Sequence, residues 1–168
     1  MNGWILQIRN HSCTVVRRMK QVIPVMVLLV LTACSDPSGT DTELFDPGMA
    51  AQTWNTAGKV WNTDELEILE NGKSLYKSRC SGCHQQAGTG STTIGAPALK
   101  GSAVARGSTD ILIRTVLFGR GSMPAFRMSL DDAGLARILS YVRNAWGNDM
   151  NDIVQLSRVA EIRATGGN

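Results

Sequence analysis

Cys80-Ser81-Gly82-Cys83-His84 is the stretch that decides how this 168-residue chain is read. A C-x-x-C-H string is the attachment signature for covalent haem. Two thiols two residues apart reach the same ligand edge from one helical turn and are expected to form thioethers with the vinyl groups. His84, directly after the second anchor, is expected to deliver a ring nitrogen to the proximal side of the iron. The competing readings lack what they need. A redox disulfide calls for a βαβ pattern around the pair, and none is visible. A structural zinc site needs four ligands, yet Cys13, Cys34 and His11 lie in a segment that reads as removable or lipidated. A chance match is countered only by a second axial ligand further along the chain.

Beyond His84 there is no other His, so the sixth ligand is sought among methionines. Met123 stands in Gly119-Arg120-Gly121-Ser122-Met123-Pro124-Ala125-Phe126, where the glycines permit close backbone approach and Pro124 stiffens the loop. Met128 is the nearby alternative, and Met150 a more distant one.

Helical patterns flank these motifs and no strand pattern separates them. Asn62-Thr63-Asp64-Glu65 predicts a cap for a helix carrying Leu66, Leu69, Lys73 and Tyr76 into the Cys80 motif. Ser108-Thr109-Asp110 opens a second segment with Ile111, Leu112, Thr115, Val116 and Phe118 on its face, stopped by Gly119. Ser129-Leu130-Asp131-Asp132 opens a third, through Leu135, Ile138, Leu139, Tyr141, Val142 and Trp146 to Gly147. The expected fold class is all-α, with helices packed around one haem and a core small enough that the cofactor supplies much of the packing.

Upstream, Arg17, Arg18 and Lys20 precede the apolar run Val22 to Leu31, with Thr32 and Ala33 following. That is the pattern of a secretion signal. The run is shorter than the roughly 18 residues a membrane-spanning helix requires. Leu31-Thr32-Ala33-Cys34 resembles the lipobox of bacterial lipoproteins and makes Cys34 the candidate lipid anchor. Translation starting at Met19 would leave a signal of ordinary length. The formal charge of +3 includes Arg9, Arg17, Arg18 and Lys20, and without those four the remainder carries −1. No basic patch suggests nucleic acid. The expected division is therefore a signal over 1–33, a lipid-anchored tether and pre-domain segment over 34–61, and a monohaem domain with its tail over 62–168. Trp54 and Trp61, seven residues apart, fit one helical face that packs on the domain, or else a docking patch.

With these residues assembled, the chain resembles a class I c-type cytochrome over roughly Asp64 to Gly147. Gly72, Tyr76, Cys80, Cys83 and His84 match the N-terminal helix and anchor of that family, and Ile138 and Tyr141 match its C-terminal helix. The resemblance implies that the two helices cross at Gly72. It also implies that Pro97, in Gly95-Ala96-Pro97-Ala98-Leu99, offers its carbonyl to the ring of His84. Tyr141-Val142-Arg143-Asn144-Ala145-Trp146-Gly147-Asn148 is similar to the haem domains of cytochrome oxidase subunit II and of quinoprotein dehydrogenase cytochrome subunits, with Val154 to Arg163 as a short tail. The resemblance implies an electron carrier rather than an enzyme. It would carry one haem c with His84 and Met123 as axial ligands and work at the periplasmic side of a bacterial membrane with a terminal oxidase or a periplasmic dehydrogenase as partner. The alternatives are a haem sensor or peroxidase-like enzyme with a labile sixth ligand, and a fixed subunit of a larger complex docked through Trp54 and Trp61.

Overall fold

A computed structural model describes residues 45–56 and 58–166. The signal segment and Cys34 lie outside the described residues. Seven α-helices run in order: α1 (Pro47–Trp54), α2 (Thr63–Arg79), α3 (Ser81–His84), α4 (Ala103–Arg106), α5 (Thr109–Phe118), α6 (Asp132–Asn144) and α7 (Leu156–Thr165), with a 3₁₀ turn at Ala145–Gly147. Among the described residues the only β-type pairings are three isolated bridges.

The starts of α2 and α6 follow from their sequences. Asn62 closes a full capping box on α2: its side chain accepts from the Glu65 backbone N–H at 2.9 Å, and Glu65 returns the bond to the Asn62 N–H at 3.0 Å. Asp131, at the head of α6, accepts from the Gly134 N–H at 2.7 Å. These two helices form the main packed pair of the fold, and they cross at Gly72. A Cβ there would stand 2.1 Å from the Arg137 carbonyl oxygen and 2.9 Å from the Tyr141 Cβ. Glycine therefore sets how close the axes come. Leu66, Leu69 and Tyr76 of α2 and Leu135, Ile138, Leu139 and Val142 of α6 are buried along this crossing.

The packed unit begins earlier than the expected boundary at 62. Asp46 caps α1 through the Gly48 N–H (2.8 Å), Pro47 occupies the first turn, and Ala50 and Trp54 are buried. Trp54 donates its indole N–H to Glu70 at 2.7 Å, and Trp61 donates its own to the Trp54 carbonyl at 3.1 Å. Trp61 lies in the α1–α2 connection, so the two rings do not share one helical face. Both are under 10% exposed, and a buried pair offers no docking patch. The reading of Trp54 and Trp61 as a partner surface is thus overturned by their burial.

The face of α5 also differs from the expected one. Ile111 is 56% exposed, whereas Ile113 and Leu117 are fully buried alongside Leu112 and Val116. The helix packs on α4, α6 and α7 as well as bordering the central cavity, so it buries a broader stripe than a single-sided amphipathic pattern supplies.

The expected tail is a helix. α7 buries Val159 and Ile162, each contributing about 1.5–3 kcal/mol of transfer energy. Arg158 pairs with Asp110 of α5, and this guanidinium holds the Asp110 carboxyl below its ordinary range. Arg163 reaches Asp132 at 2.5 Å and the Leu130 carbonyl at 2.8 Å. In the last turn of α6, Arg143 is buried and bidentate to Asp152 of the α6–α7 connection (2.8 and 2.6 Å) while donating to the carbonyls of Ala105 and Gly107. Nearly all its donors are satisfied, which is the condition for tolerating a buried cation.

Candidate functional site

A cavity of about 780 Å³ opens between α2, α3, α5, α6 and the loops around 94–99 and 120–126. Its apolar walls include Leu99, Leu112, Val116, Phe126, Ile138 and Val142, and Arg79 and Arg120 also border it. The residues singled out by sequence converge on this space: Cys80, Cys83, His84, Pro97 and Met123 all line it.

The anchor segment is shaped by the end of α2. The single turn of α3 places Cys80 half-buried, Cys83 exposed and His84 buried on one side of the cavity. Burial, with a smaller contribution from neighbouring Cys83, pushes the Cys80 thiol up to about 11. Gln85 then turns left-handed at φ 64, and the buried Tyr76 hydroxyl donates to its carbonyl at 2.7 Å. Desolvation holds that phenol well above its ordinary pKa, so it stays a donor.

His84 Nδ1 lies 2.9 Å from the Pro97 carbonyl oxygen. A carbonyl only accepts, so Nδ1 carries the proton and Nε2 keeps its lone pair for a metal. The loop that brings Pro97 there turns at Gly90 (φ 71), where a Cβ would meet the Ala96 oxygen at 2.5 Å.

Met123 sits in a tight turn closed by two backbone bonds with Arg120, at 3.2 and 3.0 Å. Gly119 precedes it at φ 78, and a Cβ there would stand 2.6 Å from the Met123 oxygen. Of the three candidate methionines, Met123 alone borders the cavity. Met128 is 94% exposed, and Met150 lies beyond α6 away from it. A thioether, an outward-facing imidazole nitrogen, two thiols on one rim and apolar walls fit a flat macrocycle with an iron centre and a vinyl edge. No group of three or more His, Cys, Asp or Glu side chains clusters among the described residues, and Cys13, Cys34 and His11 lie outside them.

Arg79 and Arg120 are cavity residues that the sequence did not mark, because a cation at a helix end or in a loop carries no periodicity to place it. A helical cup holding C-x-x-C-H and a loop methionine around one apolar cavity defines a small c-type cytochrome. Residues 67–142 match the family described as cytochrome C oxidase, cbb3-type, subunit III, and the match supports a c-type cytochrome domain over that segment. A cbb3-type cytochrome c oxidase subunit CcoP of Azospirillum brasilense is 34% identical over 89 residues, 49% of this chain and 30% of that protein. The cytochrome c subunit of the quinone-dependent alcohol dehydrogenase of Gluconobacter oxydans is 27% identical over 106 residues, 56% of this chain and 22% of its own length. The gluconate 2-dehydrogenase cytochrome c subunit of Pantoea cypripedii is 30% identical over 120 residues, 64% and 26% of the two chains. The chain thus spans under a third of each of these three relatives. Haem c is the cofactor such a domain carries, and the Cys80 and Cys83 positions fit its attachment.

Proposed function

We propose that this chain is a one-haem electron carrier with His84 and Met123 as axial ligands, tethered through Cys34 to the periplasmic side of a bacterial membrane. The observation that carries the reading is the convergence of both axial candidates and both thiols on one cavity. When bound, haem supplies an iron that alternates between ferric and ferrous. The protein's part is to hold that change in place. Cys80 and Cys83 would hold the porphyrin edge, Pro97 keeps the proton on His84 Nδ1 so that Nε2 can bind iron, and Met123 would supply the second ligand and close the site to substrate. Leu112, Val116, Ile138 and Val142 keep water from the faces, and a dry pocket with a thioether ligand favours the reduced state. No side chain in this arrangement has to transfer a proton.

Replacing the axial methionine tests the reading. Met123→Ala should abolish the ferric iron–sulfur absorption band at the red end of the spectrum and let the ferrous protein bind carbon monoxide. Met123→His should keep six ligands and lower the midpoint potential. Met128→Ala should match the parent, since its side chain points to solvent. A parent that lacks the band and binds carbon monoxide readily would make the protein a sensor or enzyme.

The names of the relatives, subunits of an oxidase and of quinone-linked or gluconate dehydrogenases, support a redox protein as partner. We assign the signal to 1–33 and the lipid to Cys34 on the lipobox-like Leu31-Thr32-Ala33-Cys34. No described helix is long and apolar enough to cross a membrane. Cys34→Ser should move the protein from the membrane pellet to the soluble fraction, because the multiple acyl chains of a lipoprotein hold firmly where a single chain is marginal. A variant that still pellets after a high-salt wash would point to an uncleaved signal helix instead.

A further inference from the structure

The turn that ends α6 is strained and sits behind the haem-ligand loops. Trp146 adopts φ 58, followed by Gly147 at φ 81. A left-handed conformation is costly for a non-glycine residue, and it persists only where the surroundings over-determine it. Here two side chains do so. The Trp146 indole N–H donates to the Gln86 carbonyl at 3.2 Å, and its ring lies so close to Gly88 that a Cβ there would be 2.7 Å from it. Asn148, 2% exposed, uses its carboxamide on three partners: it accepts from the Gly101 N–H at 2.7 Å and donates to the carbonyls of Leu99 at 3.2 Å and Val142 at 2.7 Å.

Those contacts fall on both sides of the His84–Pro97 bond. Gln86 and Gly88 follow His84, whereas Leu99 and Gly101 follow Pro97. The two strands of loop are also joined to each other, because the Gly88 carbonyl accepts from the N–H groups of Leu99 and Lys100 at 2.8 and 3.0 Å, and the His84 carbonyl accepts from Gly90 at 3.0 Å. Neither Trp146 nor Asn148 borders the cavity, so any effect they have on the iron passes through the segments they grip.

We infer that the left-handed turn Trp146–Asn148 is a clasp that sets the orientation and basicity of His84, with Trp146 and Asn148 as positioning residues. The inference rests on His84 being the iron ligand. A loosened clasp lets Pro97 drift from Nδ1–H, which leaves less electron density on Nε2. Ferric iron loses more than ferrous iron from a poorer donor, so the midpoint potential rises.

The test uses the haem-loaded protein with Trp146→Phe, which keeps a smaller aromatic ring but removes the N–H donor, and Asn148→Ala, which removes all three bonds. Val159→Ala serves as a control, because Val159 is fully buried in α7 and does not border the cavity. The midpoint potential, the proton NMR resonances of the His84 ring and the melting temperature are measured for each. The expected result is a raised potential and shifted His84 resonances in both clasp variants with the Met123 iron–sulfur band retained, and a lowered melting temperature alone in the control. Potentials and His84 resonances at parent values, with only the melting temperature reduced, would overturn the clasp and leave the turn a structural join. Trp146→Phe decides the matter by the same criteria if Asn148→Ala yields no loaded protein. A parent whose spectrum shows no iron-bound His84 ring overturns the ligand assignment itself, and the clasp with it.

Discussion

Changing Cys80 and Cys83 together to Ala should leave no haem that survives extraction with acidified organic solvent, whether the protein matures without a covalent bond or fails to accumulate. Both thiols border the cavity, and on the proposed reading each would supply one thioether, so either single variant would keep one covalent link while the double variant would keep none. In the double variant His84 and Met123 would remain as the proposed donors, but coordinate bonds exchange in acid where a thioether does not. The measurement is the haem left on the protein band after extraction. Covalent haem in the double variant would sink the attachment assignment outright.

Gly72→Ala should cost about 3 kcal/mol or more, since overpacking a well-packed contact typically costs 1–3 kcal/mol and the obstacle here is backbone on the opposite helix. The added methyl would meet the Arg137 carbonyl at 2.1 Å and its carbon at 2.8 Å. Neither can swing aside as a side-chain tip would, so α2 and α6 must separate along their whole crossing. For a domain of this size the melting temperature should fall by roughly 10–15 °C. Gly82→Ala is the control: nothing lies within 4 Å of its Cβ direction, and the change should be neutral or slightly stabilising, by up to about 1 kcal/mol. A parent-like melting temperature for Gly72→Ala would mean the helices do not meet there.

How far the sequence carried depended on whether the signal was local. The capping box at Asn62 and Glu65 is complete within four residues, and the start of α2 was legible to the residue. The anchor motif is equally compact. Met123 was separable from Met128 by its Gly and Pro neighbours; the first borders the cavity and the second is exposed. The α5 stripe was misread because Ile113 and Leu117 are buried by a helix arriving from the end of the chain. That helix, α7, buries only Val159 and Ile162, so it reads as a tail until Arg158 and Arg163 are seen gripping α5 and α6. Likewise α1 is short and rich in small residues, and it becomes part of the domain through Trp54, whose burial depends on Glu70 and Tyr141 far along the chain. The Pro97 contact was available only through resemblance, and the left-handed Trp146 had no sequence signal at all.

The size of the central cavity has a consequence for the order of assembly. Keeping the 780 Å³ between the helices dry would forfeit packing contacts all along its lining, since a hollow costs more the larger it is. Admitting water instead wets Leu112, Val116, Ile138 and Val142 together and surrenders much of the core. A folded shape of this kind therefore depends on a group that fills it. On the proposed attachment the thioethers would form on a looser polypeptide, with Cys80 not yet shielded by its neighbours, and the helices would close afterwards. Prosthetic group and core would then be one object, with maturation the step at which the protein acquires its interior.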